Sequence, residues 1–183
     1  YADEDIKSQK EFKNKVKLDI EKQFINQSDQ KFFNDCVELL ISNTKIELPE
    51  HFVKKLIIAN QKEKVNENEV EKEFSQSTKG IKYQLIESKL IEENNIDISS
   101  NAVKDYAKEM VKKQMAMYGQ NKVDDEELNS IVQRVTSNQD ELKRIYSMLL
   151  NEKILNVFKN KMTKKESKVD YKKFIETAYD KNV

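Results

Sequence analysis

Cys36 and His51 are the only cysteine and the only histidine in the chain, so a nucleophile–base pair would have to be made from them. That chemistry needs a thiol within hydrogen-bond reach of an imidazole that is itself held in place. The two lie fifteen positions apart, and only the tertiary fold could bring them together. The simpler assignment makes Cys36 a small core residue and His51 a surface residue at a helix start. One cysteine and one histidine cannot make the ligand cluster that zinc requires. The acidic run Asp124-Asp125-Glu126-Glu127 fits a helix N-terminus, where carboxylates answer the macrodipole, better than an acid–base site. Gly80 and Gly119 stand alone, so no phosphate-cradling loop can be built from them. The lysines between Lys159 and Lys173 are interrupted by Glu166 and Asp170 and carry no interleaved aromatics of the nucleic-acid kind; they read as a solvated helix face. These residues point to a non-enzyme without metal or cofactor.

The methionines suggest binding. Met110, Met115 and Met117 lie close together beside Tyr118. Methionine is flexible and polarizable, so a surface rich in it can repack against varied apolar partners. The alternative is that Met110 and Met117 fill a helix–helix seam. Met115 falls off the seam's spacing and is the one that alternative explains least well.

The 183 residues hold 33 Lys plus Arg and 33 Asp plus Glu, and this balance argues against a nucleic-acid or anionic-membrane partner. Charged residues make up 36% and hydrophobic residues 37%, which allows a core but a thin one, in a shape with much surface for its volume. Two glycines and one proline leave few places to break a helix. A lone cysteine fits a reducing compartment, and no apolar run approaches the ~20 residues of a membrane span. The chain shows no signal peptide and begins at Tyr1, which suggests a piece of a longer protein.

The elements that would position any site are helices. After a capping box at Ser8-Gln9-Lys10-Glu11, Phe12, Val16, Ile20 and Phe24 recur every fourth residue and the stripe runs on to Leu40. This predicts one long helix with a kink near Asn26 to Asp29. Pro49 suits the start of a second helix. That helix is expected to continue through the polar stretch Asn60 to Glu73, project into solvent, and turn back around Ser75 to Gly80. A third helix then carries Ile81, Leu85, Ile86 and Leu90 and ends at Asn94-Asn95. A serine caps a fourth helix bearing Val103, Ala107 and Met110, with Gly119 as its C′ residue. Asp124 or Asp125 caps a fifth with Leu128, Ile131, Val132 and Val135. A sixth runs from about Gln139 to Met162, and the last carries Tyr171, Phe174 and Ile175. Ile46-Glu47-Leu48-Pro49 and Ile96-Asp97-Ile98-Ser99 share a cadence of apolar, acidic, apolar and cap residues. It suits either a repeat or two corners with the same needs.

Three stretches in order resemble the C-terminal domain of the trigger factor family of chaperones: Ile46 to Val53, Ile81 to Met110 with Asn95-Ile96-Asp97-Ile98-Ser99, and Leu142 to Phe174 with Met162-Thr163-Lys164-Lys165-Glu166. Tyr1 to Leu40 is similar to the segment that follows the family's isomerase domain. The resemblance implies an all-α fold, an elongated helical body with two protruding arms around a cradle. It divides the single domain into a long helical segment at 1–48, a first arm at 49–95, a second arm at 99–138, and a body helix with C-terminal tail at 139–183. The segment between Val111 and Asn138 departs most from the family's pattern. Nothing matches the family's Gly-Phe-Arg-x-Gly-Lys ribosome-docking signature, and an isomerase domain is absent. Periplasmic chaperones of the SurA type share a related helical core.

The resemblance implies a cytoplasmic, ATP-independent holdase for unfolded or nascent polypeptides. It implies contact with the ribosome only through an N-terminal domain outside this chain, and leaves a homodimer open. The expected substrate-binding residues are Met110, Met115, Met117 and Tyr118, with Leu128, Ile131 and Val135 opposite. The competing expectation is a structural or adaptor protein with one dedicated partner, which would offer one contiguous patch.

Overall fold

The computed structural model describes residues 8–60, 66–120 and 124–179. Among these the chain is all-helical, as the apolar periodicity predicts, and no strand occurs. The helices are α1 (Gln9–Asn43), α2 (Glu50–Asn60), α3 (Glu67–Glu93), α4 (Ser100–Met117), α5 (Asp125–Ser137), α6 (Gln139–Lys161) and α7 (Tyr171–Tyr179). They form two compact units, Tyr1–Lys31 with Ile96–Val183, and Phe32–Asn95. Helix α1 runs without interruption and lends its first part to one unit and its last part to the other. The polar stretch near Asn26 does not break it.

In the larger unit α4, α5 and α6 pack pairwise. Val103 and Ala107 of α4, Leu128 and Val132 of α5, and Ile145 and Leu149 of α6 form its buried core. Leu150, Ile154 and Phe158 are buried on the other side of α6. Residues one hundred degrees apart per step place 145 and 149 nearly opposite 154. Helix α6 is therefore apolar on two faces, as a central helix must be. Lys159 of α6 pairs with Asp29 of α1 at 2.7 Å, and Phe24 of α1 meets the ring of Tyr171 at 5.5 Å between centroids.

Caps fix where the helices begin and end. Ser8 Oγ accepts from the Glu11 N–H, Ser99 Oγ from the Ala102 N–H, and Asp170 Oδ1 from the Lys173 N–H. Asn138 separates two helices, accepting on its side chain from the N–H groups of Asp140 and Glu141. Each such cap answers N–H groups that have no partner inside the helix. In the two junctions with a shared cadence, Ile46, Leu48, Ile96 and Ile98 are all half-buried while Glu47 and Asp97 are exposed. Asp97 accepts from the Ser99 N–H, and that bond, helped by Lys153, holds its carboxyl below the usual range.

The smaller unit differs from the sequence expectation at one point. The second helix does not reach Glu73, and no turn lies at Ser75 to Gly80. Helix α2 ends at Asn60, and α3 starts at Glu67 and passes straight through Ser75 to Gly80. The reason is a capping box. Asn66 Oδ1 accepts from the Glu69 N–H, and Glu69 Oε2 accepts from the Asn66 N–H. The hydroxyls expected to favour a turn are satisfied inside the helix: Ser77 donates to the Glu73 carbonyl and Thr78 to that of Phe74. From Asn66 to Glu73 the described side chains are exposed except Val70, which is buried. Residues 61–65, including Val65, lie outside the described residues. Helix α2 packs along α3, and Lys54 joins them. Its ammonium pairs with Glu50 at 2.6 Å and with Glu71, and sits 5.1 Å from the centre of the Phe74 ring. Both carboxylates, Glu50 first, push the Lys54 pKa up.

Candidate functional site

Helix α4 builds its exposed end from the way it stops. The Gln120 N–H donates to the Met115 carbonyl and the Gly119 N–H to that of Ala116, and Gly119 has φ 80°. These two bonds with a left-handed C′ residue make a Schellman motif, which only glycine fills without a Cβ penalty. The sequence assignment of Gly119 as C′ residue agrees. The motif turns the chain away directly after Met117 and Tyr118, so no further turn of helix covers them. Met117 is 87% exposed and Tyr118 is 78% exposed, the highest values among the large hydrophobic side chains described.

The residues expected to bind substrate have separate placements. Leu128 is only 3% exposed and belongs to the core of α4, α5 and α6. Met110 and Val135 are half-buried and pack against that core. Met115 and Ile131 are half-buried. Only Met117 and Tyr118 stand in solvent. Met110, Leu128 and Val135 thus belong to one packed core, and the exposed pair stands at the C-terminal end of α4.

Apolar surface that the sequence expectation left out lies in the smaller unit. On α2, Val53 and Ile57 are half-buried, whereas Phe52 and Leu56, one turn apart, are 61% and 50% exposed. An open groove of about 420 Å³ is lined by Leu40, Ile46, Leu85, Ile86 and Leu90, with Thr44, Lys89 and Glu93 also on its walls. The signal was present in the residue types: Phe52, Val53, Leu56, Ile57 and Ile58 are more apolar residues than one seam needs.

The electrostatics show no activated nucleophile among the described residues. Cys36 is buried, and burial together with the Asp35 carboxylate pushes its thiol pKa up, away from the reactive thiolate. His51 is exposed. The Tyr106 phenol is pushed up by burial and by Glu152. Burial also raises the Glu87 carboxyl. The hydroxyl of Tyr83, one turn before it, is buried and makes no hydrogen bond of good geometry. No group of three His, Cys, Asp or Glu that could hold a metal occurs among the described residues. No described helix is long and apolar enough to cross a membrane.

A comparison with protein families matches residues 28–177, the greater part of the chain, to the family described as "Probable trigger factor, C-terminal domain". Comparisons with curated proteins and with solved structures return no match.

Proposed function

The chain belongs to the trigger factor C-terminal domain family, and from that premise we propose that it is an ATP-independent chaperone module that holds unfolded polypeptides on exposed apolar side chains. The observation that carries this reading is the exposure of Met117 and Tyr118 at the Schellman end of α4. Exposing large apolar side chains leaves each with ~1.5–3 kcal/mol of burial energy unrealised, which a client segment can recover. Met115 and Met110 lie on the same helix as the pair and would widen the surface toward the core, and Ile131 and Val135, farther along α5, would extend it. Leu128 acts from beneath, as the buried floor on which α4 and α5 rest. Several weak contacts of this kind give modest affinity and fast exchange, and methionine's flexibility lets clients of different shape use the same residues. The family's fold supports the expectation of a cradle formed by two arms, within which this surface would face the client.

The deciding measurement is suppression of aggregation of several unrelated denatured proteins by the purified chain. Replacing both Met117 and Tyr118 by Ser is expected to weaken that suppression while leaving the melting temperature nearly unchanged. Loss of thermal stability with suppression intact would show that the pair serves packing instead. Binding of one specific protein without any general suppression would favour the adaptor reading.

A further inference from the structure

We propose that α7 is a strap over a second surface for unfolded polypeptides: its Tyr171 occupies Phe24 of α1, and a client that settles along Ile20 and Phe24 must lift the strap to do so. This inference rests on the proposed chaperone reading and adds a further binding face with its own control.

Helix α7 is amphipathic but shallowly docked. Tyr171, Phe174, Ile175 and Ala178 stand at i, i+3, i+4 and i+7 and make one apolar face. So short a helix is unstable alone in water, and α7 therefore owes its form to what that face touches. No described side chain of α7 is buried; Phe174, Ile175 and Ala178 are half-buried, and Tyr171 remains 59% exposed. The contact lies on α1. The rings of Tyr171 and Phe24 are 5.5 Å apart between centroids and tilted by 39°, within the range that aromatic pairs favour. Phe24 is still 38% exposed. One turn earlier Ile20 is exposed, and Leu18 and Ile25 are more exposed still. The first part of α1 thus offers more apolar surface than α7 covers. Ile20 is open to an arriving apolar side chain. The next seat along the same stripe is Phe24, where Tyr171 already sits, so client and strap compete for one ring.

The tail is tethered so that it returns. Lys159, in the last turn of α6, pairs with Asp29 of α1 at 2.7 Å. This fixes the point from which the tail departs little more than one helical turn beyond Phe24. Residues 163–170 then lead to α7 through solvent, and every one of them is exposed, the apolar Val169 included. A tether of that length spans ~15 Å when flexible. A segment held on it competes at roughly millimolar effective concentration. Such a strap shuts out weak single contacts and yields to a polypeptide that gains Ile20 and Phe24 together. The shallow seat of α7 and its short tether are the two properties that reversible closure needs.

The test follows binding of a labelled, unstructured peptide carrying Leu and Phe by fluorescence anisotropy, with every variant made in the full chain. Tyr171→Ser should undock α7 and tighten binding by about twofold to tenfold, the worth of one aromatic pair. Thr177→Ala, on the exposed side of α7, should act in the opposite sense. Alanine raises helix propensity, firms the strap and should weaken binding by about twofold. With Phe24→Ser added to Tyr171→Ser the gain should vanish, because the shared seat is gone. Melting temperatures check that the variants keep the fold. Millisecond hydrogen exchange reads the strap directly: protection of the α7 amides in the wild-type chain should fall when peptide is bound. Unchanged or weaker binding by Tyr171→Ser, a gain that persists without Phe24, or α7 protection that is absent without peptide or survives saturation with it, overturns the strap alone. Failure of both the wild-type chain and Tyr171→Ser to bind peptide removes the chaperone reading and this inference with it.

Discussion

Ile154 and Met117 are both large apolar side chains on amphipathic helices, yet one is fully buried and the other 87% exposed. Helical spacing in the sequence gives each a face but no depth, because depth depends on what the rest of the fold lays over that face. For this reason Leu128 reads as a surface contact in the sequence and is a core residue in the fold. The difference has a measurable size. Ile154→Ala should lower unfolding free energy by about 2–5 kcal/mol in urea titration, through lost transfer energy and the cavity left behind. Met117→Ser should change it by less than about 0.5 kcal/mol. Similar effects from both would contradict the placement of α6 at the centre of its unit.

Glu87 gives a second prediction at this scale. Burial raises its carboxyl above the ordinary value in the folded state, while the Tyr83 hydroxyl acts weakly in the opposite sense. The folded chain then holds this proton to higher pH than the unfolded chain does. Stability from this group is therefore greatest at acid pH and declines as pH rises through the folded-state pKa. Glu87→Gln should remove that decline, so the variant gains stability relative to wild type at neutral pH and gains little near pH 4. Chemical denaturation at the two pH values reads the difference, and an equal effect at both would contradict it.

At the scale of the element, the first, fourth, sixth and seventh helices were legible because their apolar stripes begin or end at residues with a capping role, Ser8, Ser99, Gly119, Asn138 and Asp170, and the fifth because its stripe follows an acidic first turn, although Asp124 makes no side-chain cap bond. The boundary between α2 and α3 was misread although its signal was in the sequence. Asn66-Glu67-Asn68-Glu69 spells a capping box, but weak apolar periodicity on either side hid it, while Ser75, Ser77, Thr78 and Gly80 imitate a turn. Serine and threonine can instead bond back to the helix, and Gly80 does not have the positive φ that a turn would demand. A pair of substitutions separates the two assignments. Asn66→Ala should cost about 1 kcal/mol by removing the cap. Gly80→Ala should stabilise the chain by about 0.5–1 kcal/mol, since a Cβ there meets nothing within 4 Å and alanine stiffens the unfolded chain. A destabilising Gly80→Ala would place a turn where the fold has a continuous helix.

For the molecule as a whole, the core is divided unevenly between the two units. Among the described residues, Val103, Ala107, Leu128, Val132 and the five buried positions of α6 lie in one unit, whereas Cys36, Val70 and Ile86 are the buried apolar residues of the other. Local opening costs least where little apolar surface is buried and the backbone is close to solvent. Helix α2 has no buried residue, its Val53 and Ile57 are only half-buried, and the Lys54 ion pair that joins it to Glu71 of α3 weakens with salt. Native-state hydrogen exchange should therefore rank the helices, with α6 amides the slowest and those of α2 and α7, which have no buried residue, the fastest in helix interiors. Added salt or Lys54→Met should speed α2 further and leave α4 to α6 unchanged. Such an order suits the proposed activity. The exposed Phe52 and Leu56 would lie on an element that can yield to clients of different shape, while Met117 and Tyr118 project from a helix anchored in the larger core. Protection in α2 equal to that in α6 would mean that the chain opens only as one cooperative body, and the adaptable surface would then have to be sought in side chains alone.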